Sequence, residues 1–192
     1  MDLGDAVTWA RPGATRVSFD GVNRCDLAAD GTLRCTPGDG AAFTMLRVRE
    51  HAAGVGTLYW VDVDGVAWCA GDNAHVQCQD DGPDEVTVPH RIAVPEVAHL
   101  SAGERHACAV TTDGAVWCWG ANGDLQVTGG TLLDERRLLG AMGAEASRAP
   151  LWTAAPAYTS PTEVMPPGSA IDVACGAYTT CVLRVGGASV CW

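Results

Sequence analysis

The chain alternates short apolar, β-branched segments with Asp-Gly or Gly-Gly pairs. Between Cys108 and Cys118 the order is Ala109, Val110, Thr111, Thr112, Asp113, Gly114, Ala115, Val116, Trp117. The segment from Cys25 to Cys35 carries Asp30-Gly31 at its middle, and that from Cys181 to Cys191 carries Gly186-Gly187. A turn-forming glycine between two alternating apolar runs is a β-hairpin signature. A fourth copy runs from Tyr59 through Asp64-Gly65 to Cys69, with Tyr59 where the others have their first Cys. The pattern therefore predicts an all-β chain of about four hairpin-centred units.

The hairpin register makes a chemical prediction. With Thr112, Asp113 and Gly114 as a three-residue loop, Thr111 closes against Ala115. Counting outward places Cys108 opposite Cys118 at a non-hydrogen-bonded position, where the Cα atoms lie about 4.5 Å apart. A disulfide spans that distance. The same count predicts Cys25–Cys35 and Cys181–Cys191. Cys69 lacks a hairpin partner, and Cys78 is the nearest replacement. Cys175 is the ninth cysteine and is left as a buried free thiol.

The repeat extends beyond each hairpin. Glu50-His51-Ala52-Ala53-Gly54, His99-Leu100-Ser101-Ala102-Gly103 and Asp172-Val173-Ala174-Cys175-Gly176 all place Gly five residues before the first hairpin position. The first copy keeps Arg16-Val17-Ser18-Phe19 but has Asp20 there. Downstream, Trp117-Cys118-Trp119-Gly120-Ala121-Asn122 parallels Trp68-Cys69-Ala70-Gly71-Asp72-Asn73. Extended segments with proline follow, at Val88-Pro89-His90-Arg91-Ile92 and Ser160-Pro161-Thr162-Glu163-Val164.

Ser101-Ala102-Gly103, His106, Cys108-Ala109, Asp113-Gly114, Trp117 to Gly120, Asn122 and Leu125-Gln126 together resemble the regulator of chromosome condensation repeat. The likeness spans roughly residues 16–192, is strongest in the third copy and weakest in the first. The Cys-bearing version is similar to bacterial members. The resemblance implies blades of a β-propeller with four strands each, usually seven to a ring. It also implies a structural, hydrogen-bonding role for His106.

First hairpin positions fall at 25, 59, 108 and 181, giving steps of 34, 49 and 73. The short step leaves Thr36 to Arg49 room for little more than one outer strand. The long step carries an insertion within 127–159, where Leu132 to Met142 is predicted to form a short helix opened by Thr131. The expectation is a single repeat domain over 1–192, read as a fragment of a longer propeller or as a small or incomplete one. Closure through a strand at Ala6 to Ala10 is the competing arrangement.

Charge narrows the partners. There are 12 basic residues, all Arg, against 23 acidic ones, for a net charge of -11. A basic surface for nucleic acid is not expected, nor docking on an anionic membrane. No apolar run approaches the ~20 residues of a membrane span. The acidic start, Met1-Asp2-Leu3-Gly4-Asp5, has neither the basic nor the apolar region of a signal peptide. The paired cysteines nevertheless point to an oxidising, extracellular or periplasmic setting, hence a secreted protein.

Candidate chemistry is sparse. Asp62 and Asp64-Gly65 fall on a hairpin turn and lack the later ligands of a calcium loop. Cys69, His75 and Cys78 fit no common zinc spacing. No nucleophile elbow, phosphate loop or dinucleotide fingerprint occurs. No catalytic residue, cofactor or metal is predicted, and the expectation is a non-enzymatic scaffold that binds a protein partner. The alternative is an accessory, carbohydrate-binding domain of a secreted hydrolase, to be distinguished by exposed tryptophans, Trp152 especially. Arg136, Arg137 and Trp152 in the insertion are the candidate partner-binding residues, since Trp and Arg are enriched at binding hot spots. Family members with different partners share the repeat, so the fold does not name the partner.

Overall fold

A computed structural model describes residues 13–19, 23–36, 42–78, 82–128 and 158–192. Among them there is no helix; the strands form four antiparallel sheets. The first comprises β1 (Ala14–Phe19), β2 (Arg24–Ala28), β3 (Leu33–Thr36) and β4 (Phe43–Met45). The second comprises β5 (Val48–Gly54), β6 (Thr57–Asp62), β7 (Ala67–Asp72) and β8 (Glu85–Arg91). The third comprises β9 (Val97–Ala102), β10 (His106–Thr111), β11 (Val116–Ala121) and β12 (Tyr158–Met165). The fourth has three strands, β13 (Ala170–Cys175), β14 (Thr180–Arg184) and β15 (Ser189–Cys191). Each sheet is a propeller blade whose strands follow chain order.

The central hairpins have the expected register. Cys25 faces Cys35, Tyr59 faces Cys69, Cys108 faces Cys118 and Cys181 faces Cys191. Thr111 closes the third turn by donating its N–H to Ala115 O, and Gly114 sits in the left-handed region at φ 82°. Only glycine takes that conformation without strain. The short first unit carries β4, a three-residue outer strand. The predicted helix and the strand at Ala6 to Ala10 both lie outside the described residues.

The first strands β1, β5, β9 and β13 stand side by side in chain order and form the inner wall. Blades then stack face to face, because the two-residue period of a strand gives every hairpin one face for each neighbour. Tyr59, Val61, Ala67 and Cys69 face the third blade and pack against Ala107, Ala109 and Trp119. Cys108, Val110, Val116 and Cys118 face the fourth and meet Val182, Val190 and Trp192. Cys25, Leu27, Leu33 and Cys35 of the first blade are covered by Trp60 of the second. The core is thus a series of three seams between blades.

Candidate functional site

The disulfides belong to these seams. Cys25–Cys35, Cys108–Cys118 and Cys181–Cys191 join hairpin partners with Cα separations of 4.0, 4.1 and 4.0 Å. Cys69–Cys78 reaches from β7 to the following loop, with Cα atoms 5.6 Å apart. Those sulfurs are therefore bonded to each other rather than available with His75 for a metal. Cys175 is the free thiol, and burial pushes its pKa up to about 11. Donor atoms of His106, Cys108 and Cys175 lie within 4.8 Å of one another. Cys108 is committed to its disulfide and His106 Nε2 to Thr180 Oγ1, so the group as it stands does not make a metal centre.

Where the inner strands end, the blades meet at a rim around the axis. A Cβ on Gly54 would lie 2.8 Å from Gly103 O, and one on Gly103 would collide with Gly176 O and the His106 ring. These glycines are required by close approach of the next blade. The loops behind them are linked in series: Val55 N–H donates to Glu104 O at 2.9 Å, and Glu104 N–H to Ala177 O at 3.4 Å. They border a shallow, open depression of about 330 Å³ lined by Phe19, Gly54, Val55, Gly103, Glu104, Cys175 and Gly176. Phe19, 66% exposed, and Val55, 47%, stand at its edge, and Tyr178, 54% exposed, bonds Glu104 of the adjoining loop. The strand ends that flank residues 129–157 lie beside the same rim. Ala121, at the end of β11, donates to Arg105 O and pairs with Tyr158, where β12 begins.

The opposite end of the inner strands is polar. Arg16, Glu50, His99 and Asp172 occupy equivalent positions, four residues before the repeat glycine or its replacement. Glu50 is buried, pairs with Arg16 and lies 4.0 Å from His99 Nδ1. Arg49 reaches across to the Val97 and Ala98 carbonyls. Arg16, Arg49, Glu50 and His99 line a cavity of about 430 Å³.

The shifted titrating groups have structural causes. Burial lowers His51 and His106 to about 4 and raises Tyr59. His106 is fully buried, bonding Thr180 of the next blade at 3.0 Å. Asp113 is lowered by Thr111 Oγ1–H and the Ala115 N–H of its own turn. The Asp62 carboxylate accepts from the N–H groups of Asp64 and Val66 and from Trp68 Nε1, which fixes it as a turn cap.

Of the sequence-derived partner candidates, Arg136, Arg137 and Trp152 lie outside the described residues. Phe19, Val55 and Tyr178 were not singled out from sequence. Phe19 precedes Asp20, Val55 follows Gly54 and Tyr178 lies two residues after Gly176, and only the stacking of blades brings these positions together.

Residues 97–126 match the regulator of chromosome condensation (RCC1) repeat. No curated protein matches the chain. Among solved structures, yeast RCC1 (Prp20) in its complex with Kap60 gives a TM-score of 0.70 at 16% identity, over 93% of this chain and 43% of that one. Prp20p from Saccharomyces cerevisiae, described with its binding properties to Gsp1p and histones, gives 0.69 at 17%, over 93% and 45%. Human WBSCR16 gives 0.69 at 15%, over 93% and 46%. The four blades thus share the RCC1 propeller fold, and the chain spans less than half the length of these structures.

Proposed function

We propose that these four RCC1-like blades are a non-enzymatic scaffold that docks a protein on the axial rim. The carrying observation is the exposure of Phe19, Val55 and Tyr178 beside loops held in series by main-chain hydrogen bonds. Exposed apolar groups on a preorganised backbone lower the ordering cost of association. The strand ends flanking the 127–159 segment lie beside that rim, and Arg136, Arg137 and Trp152 are proposed to extend its surface. The acidic excess favours a partner with a basic face over nucleic acid or an anionic membrane.

The non-enzymatic reading is supported by where the perturbed groups lie. Among the described residues, His51, His106 and Tyr59 are shifted by burial in seams and the lowered aspartates by their own turns; at the rim, Cys175 is pushed up to about 11 by burial, away from a reactive thiolate, and Tyr178 is raised by the neighbouring Glu104. Among the described residues the carbohydrate-binding reading has less support: Trp60 and Trp119 are buried between blades and Trp68, Trp117 and Trp192 are half-buried, while Trp152 lies outside the described residues. Four disulfides favour an extracellular or periplasmic location. We further propose that the chain is a segment of a longer propeller. The forward face of the fourth blade exposes Leu183 and Cys191, whereas the corresponding faces of the other three blades are buried.

The test is capture from the source organism's secreted fraction on immobilised chain, comparing the parent with a Phe19→Ser, Val55→Asp, Tyr178→Ser variant. Proteins retained by the parent and lost by the variant support the reading. Equal retention places the site elsewhere.

A further inference from the structure

The three seams are built alike, and one lacks its central piece. In the second seam Trp119, directly after Cys118, is fully buried and donates Nε1–H to Gln77 O at 2.9 Å. In the third, Trp192, directly after Cys191, donates Nε1–H to Gln126 O at 3.2 Å. Gln77 and Gln126 are themselves equivalent, each four residues after the Asn of Gly-x-Asn. The residue after Cys69 is Ala70, so no indole enters the first seam from this position.

Neighbouring side chains recover part of that volume. Leu58 stands across from Ala70, where Ala107 stands across from Trp119. Trp60 replaces Ala109 one step along the strand and is buried against the first blade. Among the described residues the space is not filled. A cavity of about 320 Å³ remains, walled by the Cys25–Cys35 disulfide, Phe43, Met45, Leu58, Trp60 and Ala70. Apolar cavities of about 150 Å³ suffice to bind benzene, and ligand sites begin near 300 Å³. The wall offers what an aromatic ring needs: a polarisable sulfur pair, a thioether and two aromatic faces.

We propose that the first seam is a binding slot for an indole-sized aromatic ring, occupying the place that Trp119 and Trp192 fill in the other seams. The ring comes either from a small aromatic compound or from a tryptophan side chain on a partner. The slot adjoins the axial rim, since Ala53 lines both cavities, but ring binding between the first two blades is read without any partner docked on the rim.

The experiment uses the oxidised chain and two probes, indole and N-acetyltryptophanamide, followed by methyl NMR at Met45 and Leu58. The expected result is saturable shifts at these two methyl-bearing residues with indole, at millimolar or tighter affinity. Shifts with indole alone mark a site for small aromatics, and shifts with both probes mark one that also admits a side chain. Ala70→Trp should supply the ring internally, weakening indole binding about ten-fold or more. Ala70→Leu, a smaller intrusion, should weaken it by an intermediate factor and carries the test if the tryptophan variant does not fold. Absence of saturable shifts up to the solubility of indole overturns the proposal, as does unchanged affinity in both folded variants.

Discussion

Trp119→Ala tests the claim that stability resides in the seams between blades. Trp119 is fully buried, donates to Gln77 O and meets the Tyr59 ring edge-on with centroids 6.1 Å apart. Truncating a buried Trp costs about 3–5 kcal/mol, and the Gln77 carbonyl left without its donor adds about 1 kcal/mol or more. The neighbours Ala107 and Ala109 are too small to refill the space. The expected loss of about 4–6 kcal/mol is a large part of the 5–15 kcal/mol of a typical domain. In urea, with m near 2 kcal/mol/M, the midpoint should fall by about 2–3 M. Trp119→Phe keeps most of the apolar contact and should cost about 1–2 kcal/mol. Trp192→Ala should cost roughly half as much as Trp119→Ala, because Trp192 is only half-buried. A midpoint shift below about 0.5 M for Trp119→Ala would refute the seam reading.

Further outcomes follow from the same geometry. Non-reducing peptide mapping should find Cys25–Cys35, Cys69–Cys78, Cys108–Cys118 and Cys181–Cys191, with Cys175 alkylated only after unfolding. Removing one bridge should cost about 2–4 kcal/mol. Gly103→Ala forces a methyl group into Gly176 O and His106 and should destabilise by about 1–3 kcal/mol or more, whereas Gly123→Ala, with nothing within 4 Å, should change stability by under about 0.5 kcal/mol. His51 and His106 are held near 4, below the ordinary 6.5, so the unfolded chain binds more protons between those pH values. Stability should therefore fall as pH drops from about 6.5 to 4, by up to roughly 3 kcal/mol per imidazole, and Tm against pH should flatten in the His51→Gln, His106→Gln variant.

The hairpins and their cysteine register were legible because a two-residue period, a turn glycine and a disulfide's short reach all constrain the same ten-residue segment. Even the three-residue outer strand of the first blade follows from the shortened spacing between Cys35 and Tyr59. What lies between blades was not legible. The glycines at 54, 103 and 176 could be aligned, but at Gly54 and Gly103 the carbonyl that excludes a side chain belongs to the next blade, at Gly103 and Gly176 respectively. The exchange of Ala107 and Trp119 for Leu58 and Ala70 likewise reads as ordinary apolar variation until the faces are stacked. Phe19, Val55 and Tyr178 form one surface only through that stacking.

The central claim, a protein-docking rim at the blade axis, is tested most directly by hydrogen–deuterium exchange on the chain with and without its captured partner. New protection is expected at residues 54–56, 103–105 and 176–178, with little change in the outer strands 85–91 and 158–165. Protection confined to those outer strands, with the three rim loops unchanged, would contradict it.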